Sequence, residues 1–295
     1  MNTSLDEQEG VIMSEEIISR RFQLSSFQII ILGFAGVILL GALLLMLPIA
    51  TQEGCTTPFN EALFTATSAV CVTGLVIHDT GSYWSAFGQT IILALIQIGG
   101  LGVVTVAALF ALLSRRKISL MQRSTMQDAL SAPNVGGIVR LTKFILWGTF
   151  LVELLGILAM LPVFCRDYGW HGIWMAVFHS VSAFCNAGFD ILGTADTLYP
   201  SLTGYWQNPI INLTIMLLII IGGIGFLTWE DICENKLQFR RYRMQSKVIL
   251  ISTVILIILP AIFSSLPILL LFLLKHVCRL LFSSRSQQEQ PASIR

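Results

Sequence analysis

Five long apolar runs limit what this chain can fold into more than any other feature. The runs lie at residues 27–50, 87–113, 144–164, 209–228 and 248–274. A helix that crosses a membrane needs about 20 predominantly apolar residues, and each run reaches that length. Only 12% of the 295 residues are charged, whereas soluble domains carry about 25%. The sequence therefore predicts an all-α integral membrane protein.

Basic residues follow every second apolar run. Arg20 and Arg21 precede the first run, and further clusters lie at residues 115–123 and 236–247, after the second and fourth runs. The segment between the first run and the next helical pattern, "TQEGCTTPFNE", contains none. Because cytoplasmic loops are enriched in Lys and Arg, we expect a multi-pass protein with a cytoplasmic N-terminus.

Several function classes lack their characteristic residues in this sequence. The six cysteines form no CxxC pair and no cluster with histidine at metal-ligand spacing. No Ser/His/Asp constellation, phosphate-binding loop or dinucleotide fingerprint occurs. The net charge of +1 and the absence of a basic patch interleaved with aromatics do not favour a nucleic-acid partner. We therefore expect neither an enzyme nor a protein with a covalently bound cofactor.

The chain contains an internal repeat. "TSAVCVTGL" (67–75) and "VSAFCNAGF" (181–189) align, and their glycines, Gly74 and Gly188, each lie 26 residues after the proline of an "LP" pair, Pro48 and Pro162. Each copy is followed by a glycine-rich span, "IQIGGLGVVT" (96–105) and "IIIGGIGFLT" (219–228). The repeat predicts two complete helix–pore loop–helix units and a third that begins near Lys247.

The repeated segment has the properties of an ion filter. A short amphipathic helix precedes each glycine, at 58–70 and 172–184, and is too short to cross a bilayer. Non-helical backbone at membrane depth is tolerated where it is buried in protein or lines a watery path. Glycine permits positive φ, and a ring of backbone carbonyls can replace the hydration shell of an ion. The predicted filter residues are Cys71, Val72, Thr73, Gly74, Cys185, Asn186, Ala187 and Gly188.

Three acidic residues are further candidates. Asp79 and Asp190 follow the two filters on the predicted outer side, where they are expected to concentrate cations. Glu153 lies within the third apolar run, where an ionisable residue is a functional candidate by default. A paired or bundle-facing structural role for Glu153 is the favoured alternative. For the repeat as a whole, the alternatives are a kink or a small-residue packing contact, or an unrelated multi-span carrier.

The motifs "SAVCVTGL", "SAFCNAGFD" and "IQIGGLGVVT" resemble the membrane subunit of bacterial Ktr-type potassium uptake systems, within the Trk/Ktr/HKT superfamily. The resemblance covers about residues 20–263. It implies a potassium-selective subunit of the bacterial plasma membrane with four such units around one pore. Potassium is then the only metal ion, bound as substrate through backbone carbonyls.

The same resemblance implies partners. Members of the family form homodimers, are often dependent on sodium as a coupling or activating ion, and are gated by a cytosolic ring of nucleotide-binding RCK subunits. The expected docking surface for that ring on this chain comprises residues 114–143 and 234–247, on the predicted cytoplasmic side.

The C-terminal part departs from the repeat. Glycine is absent from residues 226–295, and after Phe263 the sequence has no counterpart in either unit. The terminal "EQPASIR" can be back-translated so that a frame begun two bases later reads Thr-Ala-Gly-Phe-Asn-Thr, which resembles the family's third filter. We therefore expect a C-terminally truncated transporter with a frameshifted tail. Such a chain is expected to transport little or no potassium alone, and the alternative is a non-conducting fragment that only assembles with, or perturbs, full-length pore subunits.

These inferences predict six segments. They are a cytoplasmic N-terminal segment (1–24), a first unit (25–113), a cytoplasmic linker (114–143), a second unit (144–233), a linker with the start of a third unit (234–263), and an atypical tail (264–295).

Overall fold

A computed structural model describes residues 26–102, 105, 127, 138–236 and 238–263. Within this part of the chain the elements are helices and loops, and the pairing of Thr51 with Trp84 is an isolated bridge. The helices are α1 (Ser26–Leu45), α2 (Phe59–Val70), α3 (Ala86–Leu101), α4 (Ile138–Tyr168), α5 (His171–Phe184), α6 (Pro209–Gly223), α7 (Phe226–Asn235) and α8 (Met244–Phe263). The predicted N-terminal segment, the tail and most of the linker at 114–143 lie outside the described residues.

Three of the described helices are long and apolar enough to cross a membrane, namely α1, Val139–Tyr168 within α4, and α8. Their apolar side chains remain largely exposed in the isolated chain; Leu40 and Leu155 are examples. In water such exposure would be unfavourable, but lipid tails cover these surfaces in a bilayer. The prediction of an all-α membrane protein is confirmed.

The chain divides into two compact parts, Met1–Gly225 and Phe226–Arg295. In the first part, α1 packs on α2 and α3, and α2 packs on α3. In the same way, α4 packs on α5 and α6, and α5 packs on α6. Each short helix, α2 or α5, is thus enclosed by two longer ones, and α3 also contacts α5. This arrangement buries the C-terminal ends of both short helices.

Glycine determines where two of the apolar runs stop being helical. The predicted run 87–113 begins as α3, but that helix ends at Leu101, and Gly102 has φ +82°. The predicted run 209–228 is also interrupted, because α6 ends at Gly223 and Gly225 has φ +81° before α7 begins at Phe226. L-residues rarely adopt such φ values, whereas glycine does so at no steric cost. The predicted run 209–228 is therefore divided between α6 and α7 at its glycine-rich segment.

The prolines of the two "LP" pairs lie at different places relative to a helix. After α1, Pro48 does begin a separate short 3₁₀ helix, Pro48–Ala50. Pro162, however, lies inside α4, which continues to Tyr168 and begins six residues before the predicted 144. A helix tolerates an internal proline where other contacts offset the missing hydrogen bond. Here Met160, Val163 and Phe164 are buried in the core around that position.

The second part contains α7, the 3₁₀ helix Phe239–Arg241 and α8. Asp231 of α7 is buried; its carboxylate accepts hydrogen bonds from the Arg243 backbone N–H at 3.0 Å and from the Ser246 hydroxyl at 2.5 Å. Because these donors lie at the start of α8, Asp231 satisfies backbone and side-chain groups that a helix N-terminus leaves free. The predicted start of a third unit is described only as far as Phe263.

Candidate ion-filter site

The first predicted filter follows directly after the C-terminal end of α2. Val72 and Gly74 have positive φ, +56° and +72°, and they alternate with Cys71 and Thr73. The backbone N–H of Thr73 donates to the Ser68 carbonyl oxygen at 3.0 Å, and that of Val72 donates to Ala69 at 3.3 Å. Left-handed backbone at every second residue is compatible with a loop that lines an ion path with its carbonyl oxygens.

The second predicted filter has the same backbone conformation after α5. Asn186 and Gly188 have φ of +59° and +73°. The Ala187 N–H donates to the Ser182 carbonyl oxygen at 2.8 Å, and the Asn186 N–H donates to Ala183 at 3.1 Å. These bonds join residues equivalent to those of the first filter. The two sequence copies therefore adopt one local structure.

A serine hydroxyl ties the exit of each filter to the short helix that precedes it. The Ser68 Oγ donates to the Leu75 carbonyl oxygen at 2.6 Å, and the Ser182 Oγ donates to that of Phe189 at 2.6 Å. Both serines are buried. Each hydroxyl thus spans seven residues and fixes the loop around the filter glycine. We did not single out these serines from the sequence, although both belong to the repeated "SA" dipeptide.

The two filters lie side by side. A Cβ added to Gly74 would lie 2.6 Å from the Ala187 carbonyl oxygen, and a Cβ added to Gly188 would lie 3.4 Å from the Gly74 Cα. Both glycines therefore have positive φ, but only Gly74 is also crowded by backbone. All eight predicted filter residues thus lie in two adjacent loops, whereas their role in binding ions stays a prediction.

The glycine-rich spans make room for the short helices. A Cβ on Gly99 would overlap the Val70 carbonyl oxygen, and a Cβ on Gly222 would overlap that of Phe184. Val70 and Phe184 are the last residues of α2 and α5. The carbonyl ends of both helices, which carry partial negative charge, are therefore seated against backbone rather than against side chains.

Asp79 has a structural role in the loop that follows the first filter. Its carboxylate accepts hydrogen bonds from the Ser82 N–H at 2.8 Å, the Ser82 hydroxyl at 2.9 Å and the Tyr199 N–H at 2.8 Å. It is 4% exposed and joins the loop of the first unit to that of the second. The attraction of cations by Asp79 stays a prediction. Its bond to Tyr199 has no signal in the sequence, because the two residues are 120 positions apart.

Asp190 lies beside a half-open cavity of about 230 Å³ next to the second filter. The cavity is lined in part by His179, Ser182, Asn186, Gly188 and Asp190. The Leu192 N–H donates to the Asp190 carboxylate at 3.2 Å. Burial is the main reason that the pKa of Asp190 is raised above its ordinary value, and repulsion from Asp79 adds to this effect. Its predicted role at an outer mouth stays a prediction.

Comparison with known proteins identifies a family and several relatives of this chain. Residues 12–288 match the model of the TrkH family, described as cation transport protein. The chain is 41% identical over 239 residues to the potassium/sodium uptake protein NtpJ of Enterococcus hirae, covering 81% of this chain and 51% of that protein. It is 40% identical over 231 residues to the Ktr system potassium uptake protein B of Bacillus subtilis, covering 78% and 50%.

A third relative, the Ktr system potassium uptake protein B of Vibrio alginolyticus, is 34% identical over 233 residues, covering 78% of this chain and 50% of that protein. The chain thus spans about half the length of the curated relatives that it matches. The family match extends to residue 288 and so includes much of the segment 264–295, for which a frameshift stays a prediction.

Proposed function

The chain belongs to the TrkH cation transport protein family, as a Ktr-type member of the Trk/Ktr superfamily, and from that premise we propose that it carries potassium across the membrane through the two filters at Cys71–Gly74 and Cys185–Gly188. The observation that carries this proposal is the duplicated backbone: two adjacent loops with the same alternation of φ and the same serine clamps. Its relatives are named as potassium or potassium/sodium uptake proteins. The family is one of ion transporters and not of enzymes.

The electrostatics of the site favour a cation. Both α2 and α5 end immediately before a filter, so that the negative ends of their dipoles face it. Among the described filter residues none has a charged side chain, and selectivity would therefore depend on backbone oxygens. Backbone carbonyl oxygens can replace the hydration shell of a potassium ion. Sodium, as a second transported or coupling ion, is part of the same proposal.

The proposed surroundings follow from the family. They comprise the plasma membrane of a bacterium with a cytoplasmic N-terminus, a homodimer of the membrane subunit, and a cytosolic nucleotide-binding RCK subunit. Described residues of the proposed docking surface include Arg240 and Arg241, both exposed on the 3₁₀ helix Phe239–Arg241. A second candidate function is a subunit that conducts ions only when assembled with further pore-forming units.

Uptake of rubidium by a bacterial host that lacks its own potassium uptake tests the proposal. The chain is expressed alone and together with a full-length member of the family. In the double variant Gly74→Ala/Gly188→Ala we expect uptake to be abolished, because both residues have left-handed backbone. The matched control is Gly36→Ala/Gly204→Ala, since neither glycine has atoms within 4 Å of an added Cβ.

The outcomes separate the two candidate functions. Uptake by the chain alone that disappears in the filter variant supports transport by this chain. Co-expression uptake that exceeds the uptake by the full-length member alone, and that falls in the filter variant, supports the subunit that needs further units. Unchanged uptake in the filter variant, with protein levels equal to the control, would contradict the assignment of both filters.

A further inference from the structure

A carboxyl group, that of Glu153, is buried beside the second filter. Glu153 lies in the middle of α4, one of the helices long enough to cross a membrane, and is 7% exposed. Among the residues that the structure describes, no Lys, Arg or His forms an ion pair with it. An uncompensated carboxylate in such a place is costly. Its neighbours therefore indicate what it does.

Gln97 links this carboxyl group to the second filter. The Gln97 Nε2 donates a hydrogen bond to Glu153 Oε1 at 2.9 Å. The other end of the same amide, Oε1, accepts from the Cys185 thiol with an S···O distance of 3.8 Å. A side-chain amide has one donor end and one acceptor end, so these two contacts orient it. The result is a relay of three side chains, one each from α3, from α4 and from the first residue of the second filter.

The relay is held in place by close packing. A Cβ on Gly100 would lie 2.5 Å from the Cys185 Sγ, so α3 presents bare backbone to the thiol. The hydroxyl of Ser180, on α5, donates to the Glu153 carbonyl oxygen at 2.7 Å. A Cβ on Gly156 would lie 2.5 Å from that Ser180 Oγ. The backbone of α4 at Glu153 is thereby joined to α5, the helix that ends at the second filter.

Among the described residues, the first filter has no equivalent relay. In the first unit Leu39 stands nine residues before Pro48, the place that Glu153 has before Pro162, and Ile220 occupies the place of Gln97 in the second glycine-rich span. Cys71, the counterpart of Cys185, is exposed. The two filters share their backbone conformation, whereas in the described part of the chain a carboxyl group backs only the second.

We propose that Glu153 and Gln97 are positioning residues that fix Cys185, and that the Glu153 carboxyl group, when ionised, adds negative charge behind the second filter, so that they set its affinity for potassium. This proposal rests on the proposed function of the filters. A negative charge near a cation site in a poorly solvated environment stabilises the bound cation. The hydrogen bond of the Cys185 thiol to Gln97 holds this residue in place. Its backbone carbonyl oxygen is the proposed potassium ligand through which Glu153 and Gln97 act.

Two measurements on the purified, detergent-solubilised protein test the proposal. The first is the rate at which N-ethylmaleimide labels Cys185, resolved by peptide mass spectrometry, with Cys71 as the internal control. We expect Gln97→Leu to increase labelling of Cys185 at least severalfold and to leave Cys71 unchanged, because the variant removes the partner of the thiol. An unchanged Cys185 rate would overturn the positioning role.

The second measurement is the potassium concentration that gives half of the maximal thermal stabilisation. Glu153→Gln preserves the shape of the side chain and removes its capacity to ionise; at mildly alkaline pH, which keeps the wild-type carboxyl group ionised, we expect the midpoint to rise about three- to tenfold. Cys185→Ser keeps a donor for Gln97 and should therefore raise the midpoint less than Cys185→Ala, which removes that donor. A wild-type midpoint in both Glu153→Gln and Cys185→Ala would overturn the proposal.

The two arms also separate this proposal from the proposed function. If potassium does not stabilise even the wild-type protein, the proposed function is contradicted, and the labelling arm still decides the relay. If Glu153→Gln does not fold, the potassium midpoints of Cys185→Ser and Cys185→Ala are compared instead, because these variants change a smaller side chain.

Discussion

The two filter loops have the same backbone but different surroundings. In both loops the second and fourth residues have positive φ, and a buried serine binds the carbonyl group that follows the glycine. The side chains at equivalent positions differ: Val72 aligns with Asn186, and Thr73 aligns with Ala187. The comparison teaches that the loop shape depends on a few small residues and one hydroxyl. The remaining positions are free to adjust each filter separately.

Replacement of the filter glycines should produce the largest difference in stability between variants of the two loops. Gly74→Ala forces a Cβ to within 2.6 Å of the Ala187 carbonyl oxygen, whereas in Gly188→Ala the nearest atom is 3.4 Å away. Left-handed φ alone costs an L-residue roughly 1–2 kcal/mol, and only Gly74→Ala adds a backbone clash. We expect Gly74→Ala to lower the melting temperature far more than Gly188→Ala. Equal losses would mean that the two loops separate in the membrane; Gly54→Ala, at φ +72° in open space, controls for φ.

The residues at the second filter position differ in how well they tolerate left-handed backbone. Val72 has φ +56° and Asn186 has φ +59°, but asparagine tolerates this region much better than a β-branched residue. We expect Asn186→Val to destabilise the protein by about 1–2 kcal/mol. The reverse exchange, Val72→Asn, should stabilise it by a smaller amount. Thermal unfolding of both variants in one detergent checks this, and a loss of stability in Val72→Asn would show that the valine side chain is needed for packing.

The serine clamps should differ although their geometry is the same. In Ser182→Ala the Phe189 carbonyl oxygen is left without its donor, at a cost of about 1–3 kcal/mol. In Ser68→Ala the Thr73 hydroxyl, 2.9 Å from the Ser68 Oγ, is available as a replacement donor. Ser182→Ala should therefore be the more destabilising variant. Adding Thr73→Ala to Ser68→Ala should remove the difference, and a result in which Ser68→Ala alone is already as harmful as Ser182→Ala would exclude this replacement.

The smallest expected effect concerns the loop that follows the second filter. Burial raises the pKa of Asp190 above its ordinary 3.8, so the folded state binds this proton more tightly than the unfolded chain. Ionisation of Asp190 therefore destabilises the folded protein, and the penalty is present above both pKa values and absent below 3.8.

Asp190→Asn should accordingly be more stable than wild type near neutral pH, and this gain should shrink as the pH falls through the raised pKa toward 3.8. Thermal unfolding as a function of pH measures it, with the exposed Asp196→Asn as control. A gain that does not change with pH would assign the effect to packing rather than to charge.

Much of this architecture was predictable from composition and repetition. The length of the apolar runs and the low charge predict membrane helices, because about 20 apolar residues match the thickness of a bilayer. The repeat "SAxCxxG" places the ends of α2 and α5, and their observed last residues, Val70 and Phe184, are those predicted. These features are local, since they depend on helix length and on residues close in sequence.

Only the tertiary structure decided which residues meet across the chain. The relay of Gln97 and Glu153 to Cys185 joins residues as far as 88 positions apart, and the bond from the Tyr199 N–H to Asp79 spans 120. No periodicity in the sequence records such pairs. Likewise, the sequence shows two equal filter glycines, whereas the packing of the loops crowds Gly74 and leaves Gly188 open. The physical reason is that the backbone conformation of a filter is encoded within a few residues, but its electrostatic and steric surroundings come from helices that fold against it.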